Sequence, residues 1–243
     1  EDPEYQRGRG EKIADAVRKF QPDIIVHELY PFIKNFWEPD LLAAKEACRD
    51  NPPAYVSLCR DIMHAKYGPE GVERTLQILQ EHFDNVFVRG DGVMNTLEDC
   101  EPAWSRIPLP VNYIGNIVRD MPAADPLPPH ERPVLVGLSG AWHDGDEAFF
   151  ARAIESRKYS ENFAGNPWKL SVSENCPPAV FTRLQSLALT EDPEGRIEVK
   201  KVYGSAEVAK DEANCAGAIV RPGYNAVFEL ASLGKPFVVI GRE

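Results

Sequence analysis

The sequence predicts an α/β protein built on doubly wound parallel sheet, and three observations predict it. Short apolar runs such as Ile24-Ile25-Val26, Val134-Leu135-Val136 and Ala218-Ile219-Val220 show no polar alternation, the mark of strands buried on both faces. Between them lie longer segments with apolar residues at helical spacing. The two kinds of segment alternate from one end of the chain to the other, which is the order that yields βαβ units.

Glu11 to Phe20 places Ile13, Ala16, Val17 and Phe20 on one face and reads as a helix, stopped by Gln21-Pro22-Asp23. The strand Ile24–Val26 follows and runs into His27-Glu28-Leu29-Tyr30-Pro31-Phe32. Leu41 to Arg49 is a second helix, and Tyr55, Val56 and Leu58 mark a second strand that ends in Cys59-Arg60-Asp61-Ile62. Gly71 to Phe83 is a third helix, followed by the strand Asn85–Val88 and the loop Gly90-Asp91-Gly92. Val111 to Asn116 gives a short strand and turn. The stretch MPAADPLPPHERP holds five prolines, which resist both helix and sheet. It is read as a linker over 120–133, between an N-terminal domain over 1–119 and a C-terminal domain over 134–243.

The second half opens on the strand Val134–Val136, the Gly-rich loop Gly137-Leu138-Ser139-Gly140 and a helix from Glu147 to Ile154. Strand, Gly-rich loop, helix is an arrangement that cradles phosphate. Trp168–Val172 is a strand, Cys176 to Leu187 a helix, Ile197–Val202 a strand and Ala206 to Asn214 a helix. The last segment reads AGAIVRPGYNAVFELASLGKPFVVIGR: the strand Ala218–Val220, a turn at Arg221-Pro222-Gly223, a helix from Tyr224 to Leu233 and the strand Phe237–Ile240.

Composition excludes several classes. The 243 residues suffice for one large domain or two small ones, and 43% apolar with 27% charged residues is an ordinary globular balance. No apolar run approaches the roughly 18 residues of a membrane span. A net charge of −11 speaks against nucleic acid as a partner. The five cysteines are scattered and never form a C-x-x-C pair, which suits a reducing cytoplasm better than a zinc site or a disulfide framework. The start, Glu1-Asp2-Pro3-Glu4, is acidic and polar, unlike a secretory signal.

Two groups of residues carry candidate chemistry. At the helix beginning near Gly223, backbone N–H groups and the positive end of the dipole suit an anion, most often phosphate. Asn225, Glu229 and Ser232 project from one face of that helix, opposite Val227 and Ala231; they form either a solvated face or a place where a carboxylate meets a ribose diol. The second group sits at strand ends, where ligands of doubly wound sheets bind: His27, Glu28, Arg60, Asp61, Arg89 and Asp91. His27 and Glu28 are the candidate general bases, against a plain polar loop, and Arg60-Asp61 is equally read as an ion pair. His143-Asp144-Gly145-Asp146 is read as a helix cap, Asp144 or Asp146 serving, rather than a metal cluster. His64, His82 and His130 are read as surface residues, and Trp104, Trp168, Phe149 and Phe150 as core or interface filler.

Gly223, then Glu229, then Gly234-Lys235-Pro236 and an apolar strand resemble the donor-site segment of GT-B glycosyltransferases, in particular the MurG-like group and the predicted glycosyltransferases related to it. Ala226 stands where a Thr is usual, which removes one hydroxyl contact to a diphosphate. The likeness extends to Phe20-Gln21-Pro22-Asp23-Ile24-Ile25-Val26, to Leu58-Cys59-Arg60-Asp61-Ile62, to Tyr113-Ile114-Gly115 and to Gly137–Gly140. It implies two Rossmann-like parallel-sheet domains of GT-B type, both incomplete in this sequence: nothing like the usual opening Gly-x-Gly-His segment precedes Glu11 and no closing helices follow the last strand, as expected of a chain truncated at both ends, an incompletely observed one or a shortened family member. It implies a metal-independent transferase moving a sugar from a nucleoside diphosphate sugar, UDP-linked first of all, to an acceptor hydroxyl. Glu229 would hold the ribose, with Arg221, Gly223, Tyr224, Asn225, Ser139 and Gly140 lining the donor. The nucleotide-sugar is a co-substrate and no cofactor is implied. Two rivals stand beside this reading: a nucleotide-sugar epimerase or hydrolase, and a non-catalytic binding subunit of a split transferase. A partner subunit or a homodimer stays open. An oxidoreductase is disfavoured, since no G-x-G-x-x-G follows any strand.

Overall fold

The computed structural model describes residues 3–33, 37–65, 68–137, 142–163, 165–202 and 204–241. The chain forms two compact units, Glu1–Ile117 and Val118–Glu243.

In the first unit the order is α1 (Pro3–Phe20), β1 (Ile24–Glu28), α2 (Glu38–Ala47), β2 (Ala54–Arg60), α3 (Gly68–His82), β3 (Asn85–Arg89), α4 (Leu97–Cys100) and β4 (Val111–Tyr113). All pairings are parallel and the sheet runs β1-β2-β3-β4. The core follows the helical periodicity: Val72, Leu76 and Leu79 of α3 are buried, as the sequence predicts. Trp104 is buried as expected, edge-on to Phe32 at 5.1 Å, and its indole N–H donates to the Met63 carbonyl at 2.6 Å.

Three features differ from the sequence reading. Helix α1 begins at Pro3 rather than Glu11; it lies against α2, where an Arg9–Asp40 ion pair at 2.7 Å joins the two, so tertiary contact extends a segment with weak periodicity. Helix α4 is a single turn closed by a capping box of Thr96 and Asp99, too short for any periodicity to show. Strand β1 is not buried on both faces. It is the sheet edge, and Ile24 and Val26 are 59% and 53% exposed, while Ile25 and His27 face the core side.

In the second unit the order is β5 (Val134–Gly137), α5 (Asp146–Ser156), β6 (Trp168–Ser173), α6 (Pro178–Glu191), β7 (Ile197–Val202), α7 (Ser205–Asn214), β8 (Gly217–Val220), α8 (Tyr224–Ser232) and β9 (Phe237–Val239). The parallel sheet runs β7-β6-β5-β8-β9. Val134, Val136, Leu170 and Val172 pack with Phe150, Ile154 and Leu184 on one face; Leu135, Ala218 and Val220 pack with Leu230 of α8 on the other. The Pro-rich stretch is bound to this unit, where the Asp125 backbone N–H donates to Asn214 Oδ1 at 2.6 Å. Neither Asp144 nor Asp146 caps α5. Gly145 takes the N-cap position at φ 86°, and Asp146 Oδ2 instead accepts from the His143 backbone N–H at 2.8 Å, fixing the turn before the helix.

Candidate functional site

The chain of the second unit moves outward from β5 through β6 to β7, then returns to lay β8 on the opposite side of β5. That reversal is a topological switch point, where a crevice opens beyond the carboxyl ends of the strands. A cleft of about 330 Å³ lies there, bounded by Gly137 and Val220 at the ends of the two diverging strands.

Its floor is polar because β6 alternates. In Trp168-Lys169-Leu170-Ser171-Val172-Ser173 the first, third and fifth residues are buried in the core, and the others face away from it. Ser171 and Ser173 line the cleft. Lys169 Nζ pairs with Asp211 Oδ1 of α7, and the Ser171 hydroxyl donates to Asp211 Oδ2 at 3.2 Å. The alternation is plain in the sequence, but it does not show that α7 brings Asp211 to Lys169 and Ser171.

Helix α8 begins at the cleft: Ala226 of its first turn lines it. Gly223 is the N-cap, extended at φ −138° and without a side-chain cap, and the Val227 N–H bonds back to its carbonyl at 3.1 Å. An uncapped helix start leaves N–H groups and positive potential available to an anion. Asn225 is exposed, and the Tyr224 ring packs on Phe228 at a centroid distance of 4.6 Å.

One turn further along α8, Glu229 is 3% exposed, so it belongs to no solvated face. Arg119 grips it at two points, Nε to Oε1 and Nη2 to Oε2, each 2.7 Å, and also donates to the Ser205 carbonyl. Beside Glu229 and within hydrogen-bonding reach of it stands Glu212 of α7, 2% exposed and a member of the cleft lining. Burial, with Glu229 next to it, pushes the Glu212 carboxyl up to about 8, against the opposing pull of Arg119. Two carboxyl groups and one guanidinium thus form one buried cluster. Arg119 and Glu212 were missed in the sequence, where nothing marks a pairing with Glu229.

Arg221 is committed to the fold. Its guanidinium donates to the carbonyls of Gly241 and Gly145, lies 3.4 Å from Asp146 Oδ1 and sits over the Phe149 ring, 4.6 Å from the centroid. Ser139 and Gly140 lie outside the described residues.

At the strand ends of the first unit, the candidates separate. Glu28 is exposed and 3.5 Å from Arg89 Nη2. His27 does not reach the rim: it is 9% exposed, among Tyr30, Tyr55 and Phe83 at 5.7 to 6.4 Å, and its Nε2 is buried without a hydrogen-bond partner. Burial, with a lesser contribution from Lys45, lowers its pKa to about 4. Asp61 is buried, which raises its pKa, and Gly90 packs so closely that a Cβ there would lie 2.7 Å from that of Asp61. Asp91 staples its own loop by accepting from the Val93 and Met94 N–H groups.

No protein-family profile and no curated protein sequence matches this chain. Solved structures do match its fold. A UDP-GlcNAc 2-epimerase from Methanocaldococcus jannaschii aligns with a TM-score of 0.60 at 14% identity, over 98% of this chain and 67% of its own. The fold is GT-B-like. A UDP-GlcNAc 2-epimerase from Neisseria meningitidis, bound to UDP-GlcNAc, gives 0.59 at 13% identity over 97% of this chain and 63% of its own. The pneumococcal O-GlcNAc transferase GtfA, in complex with UDP and GlcNAc, gives 0.54 at 10% identity over 94% and 44%. This chain therefore spans from 44% to 67% of the lengths of these neighbours. Among the described residues no helix is long and apolar enough to cross a membrane.

Proposed function

We propose that the second unit binds a nucleoside diphosphate sugar, UDP-linked first of all, and that the chain serves the transfer of that sugar to an acceptor hydroxyl. One observation carries the reading: Ala226 of the first turn of the uncapped helix α8 and Glu212, the neighbour of Glu229, line a single cleft at the switch point of a doubly wound sheet. A diphosphate at Gly223, Tyr224 and Asn225 would be held by backbone N–H groups and the helix dipole, which also stabilise it as a leaving group. Arg221, engaged by carbonyls and by Asp146, leaves that charge to the backbone. The carboxyls of Glu229 and Glu212 suit the hydroxyl groups of a ribose. For the acceptor proton, Glu28 is the better base of the two candidates, since it is solvent-accessible while His27 is enclosed by aromatic rings. The unpaired thiols suit a reducing compartment such as the cytoplasm.

The likeness to two UDP-GlcNAc 2-epimerases favours one second reading, a nucleotide-sugar epimerase. Calorimetric titration of UDP, with GDP, ADP and dTDP alongside, tests the shared part. The expected outcome is UDP binding that weakens on Glu229→Ala. A folded chain that binds none of the four would overturn the reading. Product analysis with a UDP-sugar separates the two enzymes: the epimerase changes the sugar with no acceptor present, and the transferase requires one.

A further inference from the structure

We propose that this chain associates head to tail with a second copy of itself: an apolar knob on the first unit of one copy, Val93 and Met94, seats in an apolar pocket beside α5 in the second unit of the next. The proposal does not rest on the nucleotide reading, because that pocket lies on the other face of the sheet from the cleft. Residues alternate along β8, so Val220 lines the cleft while Ile219 and Arg221 line the pocket.

The knob stands out and is braced. Val93 and Met94 are 88% and 89% exposed, the most exposed large apolar side chains among the described residues. Asp91 Oδ1 accepts from their two N–H groups at 2.8 and 2.9 Å, and Gly92 lies against the Tyr113 ring with no room for a Cβ. Asn95 Nδ2 donates to the Asp61 carbonyl at 3.0 Å, and the Leu97 N–H donates to the Tyr113 hydroxyl at 2.8 Å. A loop fixed before contact loses little entropy on docking. Acid surrounds the knob: Asp91, Glu98 and Asp99 are exposed, Glu101 is half-buried, and no Lys or Arg occurs between Gly90 and Trp104.

The pocket has the complementary character. It measures about 470 Å³, with Ala148, Phe149 and Ala153 of α5 on one side and Ile219, Val238 and Ile240 on the other. Parallel sheets bury both faces, yet Val238 and Ile240 at the β9 edge are 55% and 42% exposed. The charged residues of the lining are Arg152, Arg221 and Asp144, so cations outnumber anions there in a chain of net charge −11. Arg221 is engaged by Asp146 and by carbonyls, and the attraction for acid falls to Arg152 on the exposed side of α5. The cleft, lined by Glu174, Asp211 and Glu212 with no Lys or Arg, would repel the same knob. Charge thus directs the knob to this pocket, and a second copy supplies both halves. Knob and pocket are different surfaces, so the contact is heterologous and copies add head to tail until a ring closes.

The test is sedimentation equilibrium of the full chain at low salt, from micromolar to submillimolar concentration, with circular dichroism to confirm folding. The average mass of the wild type should rise with concentration above that of one chain. A knob variant, Val93→Asp with Met94→Asp, should stay monomeric, since it would bury unpaired charge in an apolar pocket. A pocket variant, Val238→Asp with Arg152→Glu, should stay monomeric as well, and Arg152→Glu alone should weaken association by about tenfold. Each variant keeps the half that the other has lost, so an equimolar mixture of the two should give a particle of two chains and nothing larger. All four substituted side chains are exposed, which spares the fold. A wild type that stays monomeric at every concentration overturns the proposal. So does a knob variant that associates as the wild type does, or a mixture that remains single chains.

Discussion

Replacing Glu212 by Gln should change how stability depends on pH more than stability itself. The folded carboxyl titrates near 8 against a reference of 4.5, so between these values the unfolded chain has lost a proton that the folded chain keeps. Stability from this group is therefore fully present below pH 4.5 and is lost as pH rises toward 8. Linkage gives an upper limit of about 1.4 kcal/mol for each pH unit inside that window. Arg119, Glu229 and Asp211 are the charged groups that set the shift, and all three stay in place in the variant. The Gln variant has no proton to lose, so its stability relative to the wild type should rise from pH 5 to pH 8. Urea denaturation of both proteins at pH 5, 6, 7 and 8 measures this, and the difference between them cancels every other titrating group. Parallel pH profiles would refute the reasoning, since they would mean that Glu212 ionises alike in the folded and unfolded chains.

Two further predictions concern the first unit. His27→Phe should protect against acid: the wild-type imidazole, with its pKa lowered from 6.5 to about 4, supplies stability that is lost as pH falls through that interval, and Phe supplies none to lose. Denaturation midpoints at pH 7 and pH 4.5 should converge in the variant, and an unchanged gap would count against the core placement of His27. Gly92→Ala should cost about 2–4 kcal/mol, because φ is +68° and the new Cβ would lie 2.9 Å from the Tyr113 ring. Gly115→Ala, at φ +77° with nothing within 4 Å, should cost only about 1 kcal/mol; equal losses at the two sites would remove the steric argument.

Much of the fold could be read from the sequence because both periodicities are local. The strand Ile197–Val202 and the start of α8 at Tyr224 coincide with the sequence reading, and most other elements shift by a few residues at their ends, while α1 starts eight residues earlier and α4 is added. Burial is a different matter. Ile24 and Val26 look like core residues, and only the sheet order reveals that β1 is an edge. The site was legible in part. Glu229 stood out on its helix, but its partner Arg119 comes from a distant stretch of chain, in a Pro-rich neighbourhood that reads as linker. Glu212 lay in a run of polar residues, Lys210-Asp211-Glu212, that looks like any solvated helix face until α7 is packed. Arg221 looked free to hold phosphate because a turn sequence does not show which carbonyls will surround it.

The sheet order β7-β6-β5-β8-β9 also bears on how the second unit acquires its cleft in time. Val134 pairs with Trp168 on one side and with Gly217 on the other, so the first partnership closes a much shorter loop than the second. Distant parallel pairings form slowly, since chain entropy is lost before contacts reward it. The β5–β7 half is thus expected to assemble early and the β8–β9 half to dock late, and only that docking brings Val220 and Ala226 to face Gly137. A ligand of the cleft would bind the docked form alone and act as a latch on it. Amide hydrogens of β8 and α8 would then exchange more slowly with ligand present, while those of β6 and β7 would change little.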